Sequence, residues 1–232
     1  MFHGDGIISQ FEGYQGLREI DLDELAQNHP GERADWVLEA RGEDVNAYQV
    51  TKQADVLMLL HVLPGCELDR ILNRLGYRVT RDQLCRTTAY YLAHTTHDSS
   101  LSRIVHARAL ARLDPARSWR FFQEALRPDA EPCNSTTSEE GLHLGAMAGS
   151  LDVLQRHYLG IGFEIDGIRL DPAPPAELGP VRLGFQYRRE DFLLEWTGSR
   201  LRLEAALSNA ASVTVRRGAK RETLRPGTSI AF

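Results

Sequence analysis

The sequence predicts a mainly α-helical chain with a β domain at its C-terminus. Up to about residue 160, apolar residues recur every three or four positions in short segments that end at glycine or proline, which is typical of amphipathic helices. Beyond that point, apolar and polar residues alternate in short runs between turn residues, which is typical of strands. We therefore expect a helical domain over residues 1–160 and a small antiparallel β-sandwich over residues 161–232.

The helical part is predicted element by element. Residues 1–45 interleave glycines with aromatic residues, which indicates an extended loop lying over an apolar surface. One short helix is expected there, over 21–27. The others are expected from about 48 or 51 to 63 and over 68–75, 81–92, 99–113, 118–126, 140–149 and 151–159. The glycine-rich and alanine-rich segment 140–149 should approach its neighbours closely and lie centrally. Beyond residue 160, the alternating runs predict five or six short strands.

The composition is that of a folded protein without strong charge bias. The 232 residues are 42% hydrophobic and 25% charged, with a net charge of −5. No basic run stands out and no apolar run could span a bilayer, so we expect no nucleic-acid and no membrane partner. The N-terminus lacks the pattern of an export signal, which predicts a cytoplasmic protein. The three widely spaced cysteines, Cys66, Cys85 and Cys133, fit neither a disulfide framework nor a metal site.

A polar stretch over 95–102 opens the helix predicted at 99–113. It contains hydroxyls, an imidazole and a carboxylate: Thr95, Thr96, His97, Asp98, Ser99, Ser100 and Ser102. The first N–H groups of a helix lack partners and lie at the positive end of its dipole, so these side chains can help hold a phosphate or a sugar oxygen. The alternative is that Thr96, Asp98 or Ser99 only caps the helix.

Two more polar clusters precede helices. Lys52 and Gln53 stand at the head of an apolar helix, where a lysine opposes the dipole and is balanced by an anionic ligand, by a neighbouring carboxylate or only by solvent. The other cluster, 134–140, precedes His143. The spacing of Thr137 and Glu140 is that of a capping box, and a lone histidine on such a helix is commonly a core residue.

Three segments, in this order and at these separations, resemble the C-terminal third of glycoside hydrolase family 65. They are Lys52-Gln53-Ala54-Asp55-Val56, Thr95-Thr96-His97-Asp98-Ser99-Ser100-Leu101-Ser102 and Glu140-Gly141-Leu142-His143-Leu144-Gly145-Ala146-Met147-Ala148-Gly149. Segments 5–8, 10–14 and 118–122 are also similar, so the resemblance covers nearly the whole chain. The family contains maltose, trehalose, kojibiose and nigerose phosphorylases and related hydrolases. The resemblance implies that the helical domain is the second half of an (α/α)6 barrel, followed by the β-sandwich.

The resemblance also implies roles for residues. In the family, inorganic phosphate attacks the anomeric carbon with inversion while a glutamic acid protonates the leaving oxygen. Phosphate is then a co-substrate, and no metal or other cofactor is implied. The residues implied to bind phosphate are His97, Ser99, Ser100 and His143. Those implied to contact the substrate are Lys52, Gln53 and Glu140, the last lying near the phosphate.

The chain departs from the family pattern in two places. The general acid belongs to a Gly-Pro-Asp-Glu-Tyr type segment that precedes the 10–14 match, and this sequence contains neither that segment nor the Trp-Asp sugar-binding positions. We therefore assign no catalytic acid, although such an acid contributes roughly 10²–10⁴ to the rate. Ser135 and Thr136 stand where one version of the pattern has two glycines, which leaves phosphorolysis and hydrolysis both open.

The resulting hypothesis is the C-terminal part of an inverting α-glucoside phosphorylase, inactive alone. Its substrates would be a glucose disaccharide and phosphate, and its partner a separate N-terminal half or another copy of itself. One alternative is a fragment of a trehalase-like hydrolase, which a requirement for phosphate would distinguish. The other is a non-catalytic remnant that binds sugar or phosphate, or a structural remnant that binds neither.

Overall fold

A computed structural model describes residues 2–63, 65–96, 100–130 and 143–232, with the backbone alone at 65, 66, 100 and 128–130. These residues form eight α-helices: α1 Leu22–Asn28, α2 Ala34–Ala40, α3 Asp55–Val62, α4 Gly65–Arg74, α5 Arg81–Ala93, α6 Ser100–Leu110, α7 Pro115–Ala130 and α8 Leu144–Asp152. Short 3₁₀ turns lie at Tyr14–Gly16 and Val45–Ala47, and a π-helix at Val153–Tyr158 continues α8 directly. The chain is thus a helical part followed by a β part.

The helices differ from the predicted ones at four points. Helix α3 begins at Asp55 and not at 48 or 51. Helix α2 lies in the segment expected to be loop. Helix α7 begins at Pro115 and continues past Pro128, so the predicted stop before Pro128 is wrong. A proline lacks the backbone N–H donor, so in the last turn of a helix it removes one hydrogen bond but does not end the helix. The helix expected over 151–159 is instead the end of α8 and the π-helix.

The β part consists of two four-stranded sheets. Its strands are β1 Ile161–Glu164, β2 Gly167–Leu170, β3 Val181–Tyr187, β4 Glu190–Trp196, β5 Leu201–Ala205, β6 Val213–Arg217, β7 Lys220–Leu224 and β8 Ser229–Ala231. The sheet orders are β1-β2-β6-β7 and β3-β4-β5-β8. One pair departs from the antiparallel prediction: β2 and β6 run parallel, with Ile168 opposite Val215. Strand β7 was not predicted, because its sequence, KRETL, is mostly polar.

One hydrophobic core runs through both parts. Buried side chains of the helices, such as Tyr91, Val105 and Phe122, belong to the same packed cluster as Ile168 and Leu194 from the two sheets. Arg112, just after α6, also donates hydrogen bonds of 2.7 Å to the backbone oxygen and the carboxylate of Asp171, just after β2. The sandwich is therefore packed onto the helical part.

Helix α8 packs tightly on one side only. A Cβ on Gly149 would lie 2.7 Å from Cγ2 of Ile104 in α6, so the two backbones approach as closely as the glycine allows. The opposite face of α8 carries large apolar side chains that are exposed: Leu144 at 71%, Met147 at 44% and Leu151 at 64%. Close approach is as predicted, but the described residues do not enclose α8. No helix among the described residues has the length and apolar character that a membrane crossing needs.

Candidate active site

A cavity of about 500 Å³ lies between the N-terminal loop, the segment before α3 and the start of α6. Its walls are formed by twelve residues: Gln10, Phe11, Tyr14, Leu17, Asn46, Tyr48, Val50, Thr51, Lys52, Gln53, Leu101 and Ser102. Two of the predicted substrate-binding residues, Lys52 and Gln53, therefore line one cavity with the first turn of α6. That turn includes the last residues of the polar stretch predicted to hold phosphate.

Hydrogen bonds fix these two segments side by side. The N–H of Thr51 donates to the backbone oxygen of His94 at 2.7 Å, and the N–H of Thr96 donates back to the oxygen of Thr51 at 3.1 Å. This is a short parallel bridge between Thr51 and Thr95, whose hydroxyls also lie 3.1 Å apart. The hydroxyl of Ser102 in α6 donates to the backbone oxygen of Lys52 at 3.0 Å. The segment of Lys52 and the stretch before α6 are thus direct neighbours in the structure, whereas in the sequence only the family resemblance connected them.

The side chains of Lys52 and Gln53 have different surroundings. Lys52 is exposed, and no carboxylate of the described residues lies within ion-pair distance of it. Gln53 is half-buried, and its Nε2 lies 2.6 Å from the sulfur of Met58. The neighbouring carboxylate that would explain a lysine at a helix start is therefore not found in the described part of the chain. An anionic ligand and solvent remain as the balancing partners.

Of the other predicted site residues, His143 is described in full. It is the N-cap of α8, and its Nδ1 accepts a hydrogen bond from the N–H of Ala146 at 3.3 Å. One residue into α8, a Cβ on Gly145 would lie 3.9 Å from Cδ1 of Leu101, which lines the cavity. The starts of α6 and α8 therefore lie together. Ser100 is described by its backbone, as the first residue of α6; His97, Ser99 and Glu140 lie outside the described residues.

The N-terminal loop is held onto the cavity by helix α5. The hydroxyl of Tyr91 donates to the backbone oxygen of Ile8 at 2.9 Å. The hydroxyl of Tyr90 donates to the side-chain oxygen of Gln49, and Nε2 of Gln49 donates to the backbone oxygens of Gln15 and Leu17 at 3.2 and 2.9 Å. The sequence reasoning did not find these anchoring residues, because a helix pattern does not reveal which hydroxyl reaches across to a loop.

The loop brings an aromatic wall to the cavity. Phe11 is 49% exposed, whereas Tyr14 is 1% exposed and its ring centroid lies 5.3 Å from that of Phe11. Burial, reinforced by the neighbouring hydroxyls of Tyr90 and Tyr91, raises the pKa of Tyr14 well above its usual value, so Tyr14 remains a neutral donor. Asn46 and Tyr48 also line the cavity. Nothing in their sequence context had marked them.

This arrangement suits a polyhydroxy ligand next to an anion. Amides and hydroxyls can bond to ligand hydroxyls, and the wall provides an apolar surface. Lys52 and the first turn of α6 supply positive potential on one side. Within the described ranges, no group of histidine, cysteine, aspartate and glutamate side chains is arranged to hold a metal ion.

Comparison with known proteins gives the family. A model of the glycosyl hydrolase family 65 central catalytic domain matches residues 1–152. An uncharacterized glycosyl hydrolase of Mycobacterium tuberculosis (strain ATCC 25618 / H37Rv) is 43% identical over 230 residues, which is 99% of this chain and 17% of that protein. The trehalose 6-phosphate phosphorylase of Lactococcus lactis subsp. lactis (strain IL1403) is 31% identical over 195 residues, covering 82% of this chain and 25% of the relative.

A solved structure supports the same fold. The structure described as "Putative kojibiose phosphorylase from human microbiome" matches 100% of this chain and 30% of its own, with a TM-score of 0.70 at 16% identity. The chain therefore spans less than a third of the length of each of these relatives. Because the model of the catalytic domain covers residues 1–152, well over half of the sequence, the resemblance found in the motifs is confirmed, and the protein belongs to glycoside hydrolase family 65.

Proposed function

We propose that this chain is the C-terminal part of an inverting disaccharide phosphorylase that cleaves an α-glucosidic bond with inorganic phosphate. The observation that carries the proposal is the hydrogen-bonded contact between the segment of Lys52 and the stretch that leads into α6. It places a sugar-sized cavity beside a helix start, as a reaction between a sugar carbon and a phosphate requires.

The proposed reaction uses both the sugar-binding side and the phosphate-binding side of this site. A phosphate oxygen forms a bond to the anomeric carbon while the bond from that carbon to the glycosidic oxygen breaks, and the leaving oxygen takes a proton from an acid. In this proposal, Lys52 and Gln53 hold hydroxyls of the sugar, with Glu140 nearby. The start of α6, with His97, Ser99 and Ser100, holds the phosphate, and His143 supports it from the start of α8.

The acid is proposed to come from outside this chain. The chain spans 22% to 26% of the length of four related phosphorylases, and the exposed apolar face of α8 lacks covering helices within the described residues. We propose that the helical part is the second half of an (α/α)6 barrel, and that the preceding half covers this face and supplies the acid. Catalysis then requires both halves.

A chimera tests the proposal. The matched 230-residue segment of the Mycobacterium tuberculosis relative would be replaced by this chain. Release of glucose 1-phosphate, the product of phosphorolysis, and of free glucose would then be measured from trehalose, trehalose 6-phosphate, kojibiose and maltose, with and without added phosphate. We expect phosphate-dependent release, reduced by roughly 10²-fold or more in Lys52→Ala because a charged contact to the reacting sugar is lost. The matched control is Lys220→Ala, since Lys220 is ion-paired with Glu222 in the sandwich at 2.5 Å.

The outcomes separate the candidate functions. Cleavage that does not need phosphate would identify a hydrolase and contradict phosphorolysis. Saturable binding of glucose or phosphate without turnover in the chimera would identify a non-catalytic protein that binds sugar or phosphate. An inactive chimera whose chain binds neither ligand would contradict the proposal altogether.

A further inference from the structure

Two buried polar atoms in the wall of the cavity lack partners. They are the hydroxyl of Tyr14 and the side-chain oxygen Oε1 of Gln10, and neither has a hydrogen-bond partner among the described residues. Both residues line the cavity. A buried polar group left unpaired costs roughly 1–3 kcal/mol, so such groups are rare and need an explanation.

Packing holds the ring of Tyr14 in place. The ring of Tyr14 is surrounded by the rings of Phe11, Tyr91 and His3, with centroids 5.3, 5.7 and 6.2 Å away. The hydroxyl of Tyr91 is already used, since it donates to the backbone oxygen of Ile8. The ring of Tyr14 is therefore held by its neighbours and carries an unpaired donor, and Gln10, which also lines the cavity, carries an unpaired acceptor.

The same wall offers an exposed aromatic surface. Phe11 is 49% exposed although its ring packs edge-on against the ring of Tyr14. A pyranose ring has an apolar face of C–H groups and a rim of hydroxyls, each of which is both donor and acceptor. An exposed ring beside one free donor and one free acceptor is complementary to that pattern. Lys52 is the one charged residue lining the cavity among the described residues, and no carboxylate lines it there.

We propose that residues 10–14 form the sugar-contacting wall of this site. The pyranose ring packs on Phe11, the hydroxyl of Tyr14 donates to a sugar oxygen, and a sugar hydroxyl donates to Oε1 of Gln10. The ligand class is an uncharged pyranose, and the wall selects for it before any phosphate is bound. This assignment rests on the proposed function of the cavity and adds three residues to it.

The experiment measures binding of glucose, and separately of inorganic phosphate, to the full 232-residue chain by calorimetry, together with the melting temperature. Tyr14→Phe and Gln10→Met should each weaken glucose binding about threefold to tenfold, the value of one hydrogen bond. Neither should lower the melting temperature, because no bond is lost in the free protein. Phe11→Ala should weaken glucose binding by about tenfold.

Two matched controls accompany these variants. Phe163→Ala removes a ring of the sandwich that is 50% exposed and should leave glucose binding unchanged. Tyr187→Phe removes a hydroxyl that donates to the backbone oxygen of Glu164 at 2.7 Å. It should therefore lower the melting temperature without changing glucose binding, the reverse of Tyr14→Phe.

The results distinguish this inference from the proposed function. Glucose binding that is equal in the wild type, Tyr14→Phe and Phe11→Ala overturns the sugar wall and leaves the phosphorylase proposal standing. A lower melting temperature in Tyr14→Phe also overturns it, because the hydroxyl would then be bonded in the free protein. Weakened glucose binding in a chain that does not bind phosphate supports the wall and counts against the phosphate site. No glucose binding by the wild type overturns the wall.

Discussion

Nη1 of Arg108 in α6 donates a hydrogen bond of 3.0 Å to Oδ2 of Asp152, the last residue of α8. The side chain of Arg108 is 4% exposed and that of Asp152 31%, so the pair compensates a buried guanidinium with a partly exposed carboxylate. The other carboxylate oxygen of Asp152 lies 3.4 Å from Nη1 of Arg156 in the π-helix. One carboxylate therefore connects α6, α8 and the π-helix.

Removing that carboxylate should strongly destabilise the protein. In Asp152→Asn, the charge of Arg108 would stay buried without compensation, and we expect the free energy of unfolding in urea to fall by about 3 kcal/mol. The control is Asp171→Asn, because the pair of Asp171 with Arg112 at 2.7 Å is half exposed. An exposed pair contributes about 1 kcal/mol or less. Equal losses in the two variants would contradict a special role for Asp152.

Acid should destabilise the same region. Burial and the charge of Arg108 lower the pKa of His61 to about 4 and that of His157 to about 3, against the opposing effect of Asp152. Both side chains are neutral in the folded protein but take up a proton near pH 6.5 when unfolded. The stabilisation is therefore complete above pH 6.5 and is lost as the pH falls from 6.5 to about 4 for His61 and to about 3 for His157, with a slope approaching about 1.4 kcal/mol per pH unit for each histidine.

Urea denaturation at pH 7.5, 6 and 5 measures this dependence. The variant His157→Gln removes one of the two groups, so its unfolding free energy should fall less steeply between pH 6 and pH 5 than that of the wild type. An unchanged slope would mean that His157 titrates normally in the folded protein.

Two glycines on one face of α8 should respond oppositely to the same substitution. Gly149→Ala places a methyl group 2.7 Å from Cγ2 of Ile104, whereas the nearest atoms to a Cβ on Gly145 are 3.8 Å away. We expect Gly149→Ala to cost about 1–3 kcal/mol through overpacking. Gly145→Ala should instead stabilise the helix by about 0.5–1 kcal/mol, since alanine is the better helix former.

A second-site change identifies the cause. Ile104→Leu removes the branch methyl that the new Cβ would meet, so the double variant with Gly149→Ala should recover part of the lost unfolding free energy. If thermal melting shows no recovery, the loss in Gly149→Ala has another origin than the contact with Ile104.

The exposed apolar face of α8 should make the isolated chain self-associate and bind hydrophobic dyes. Leu144 and Leu151 are exposed at 71% and 64% on that face, and contiguous apolar surface of this kind promotes association. The double variant Leu144→Glu/Leu151→Glu should lower the fluorescence of a bound hydrophobic dye by roughly half and reduce self-association in size-exclusion chromatography. Leu207→Glu is the control, because Leu207 is 84% exposed between β5 and β6. The same reduction in this control would disprove a special role of α8.

The sequence predicted the helices and strands whose local residue pattern alone favours the structure that they adopt in the folded protein. Helix α5 begins at Arg81 as expected, because Thr80 and Gln83 form a capping box that short-range chemistry alone determines. Helix α2, Ala34–Ala40, was missed because its N-cap, Arg33, makes no side-chain cap hydrogen bond, whereas α1, of equal length, starts after the capping side chain of Asp21. The parallel pairing of β2 with β6 was missed because it joins residues about fifty positions apart, and no local pattern carries that information.

The candidate site was predictable to a similar extent. Lys52 and Gln53 were predicted from a motif, and the structure places them in a cavity. Their assigned roles, and those of His97, Ser99, Ser100, Glu140 and His143, stay predictions. Asn46 and Tyr48 could not have been found, because their place in the wall depends on how a loop is tied down by Gln49. Such long-range bonds involve single hydroxyls and amides that leave no periodic signal.

The shared core has a consequence for how the molecule can come apart. Because Ile168 and Leu194 of the sandwich pack in the same cluster as Tyr91 and Val105 of the helices, neither part can lose its structure while the other stays intact. Heating should therefore produce a single cooperative transition, and limited proteolysis should release no protected sandwich. A damaging substitution deep in the sheets would then destroy the cavity beside Lys52 and Gln53 as surely as one in its wall.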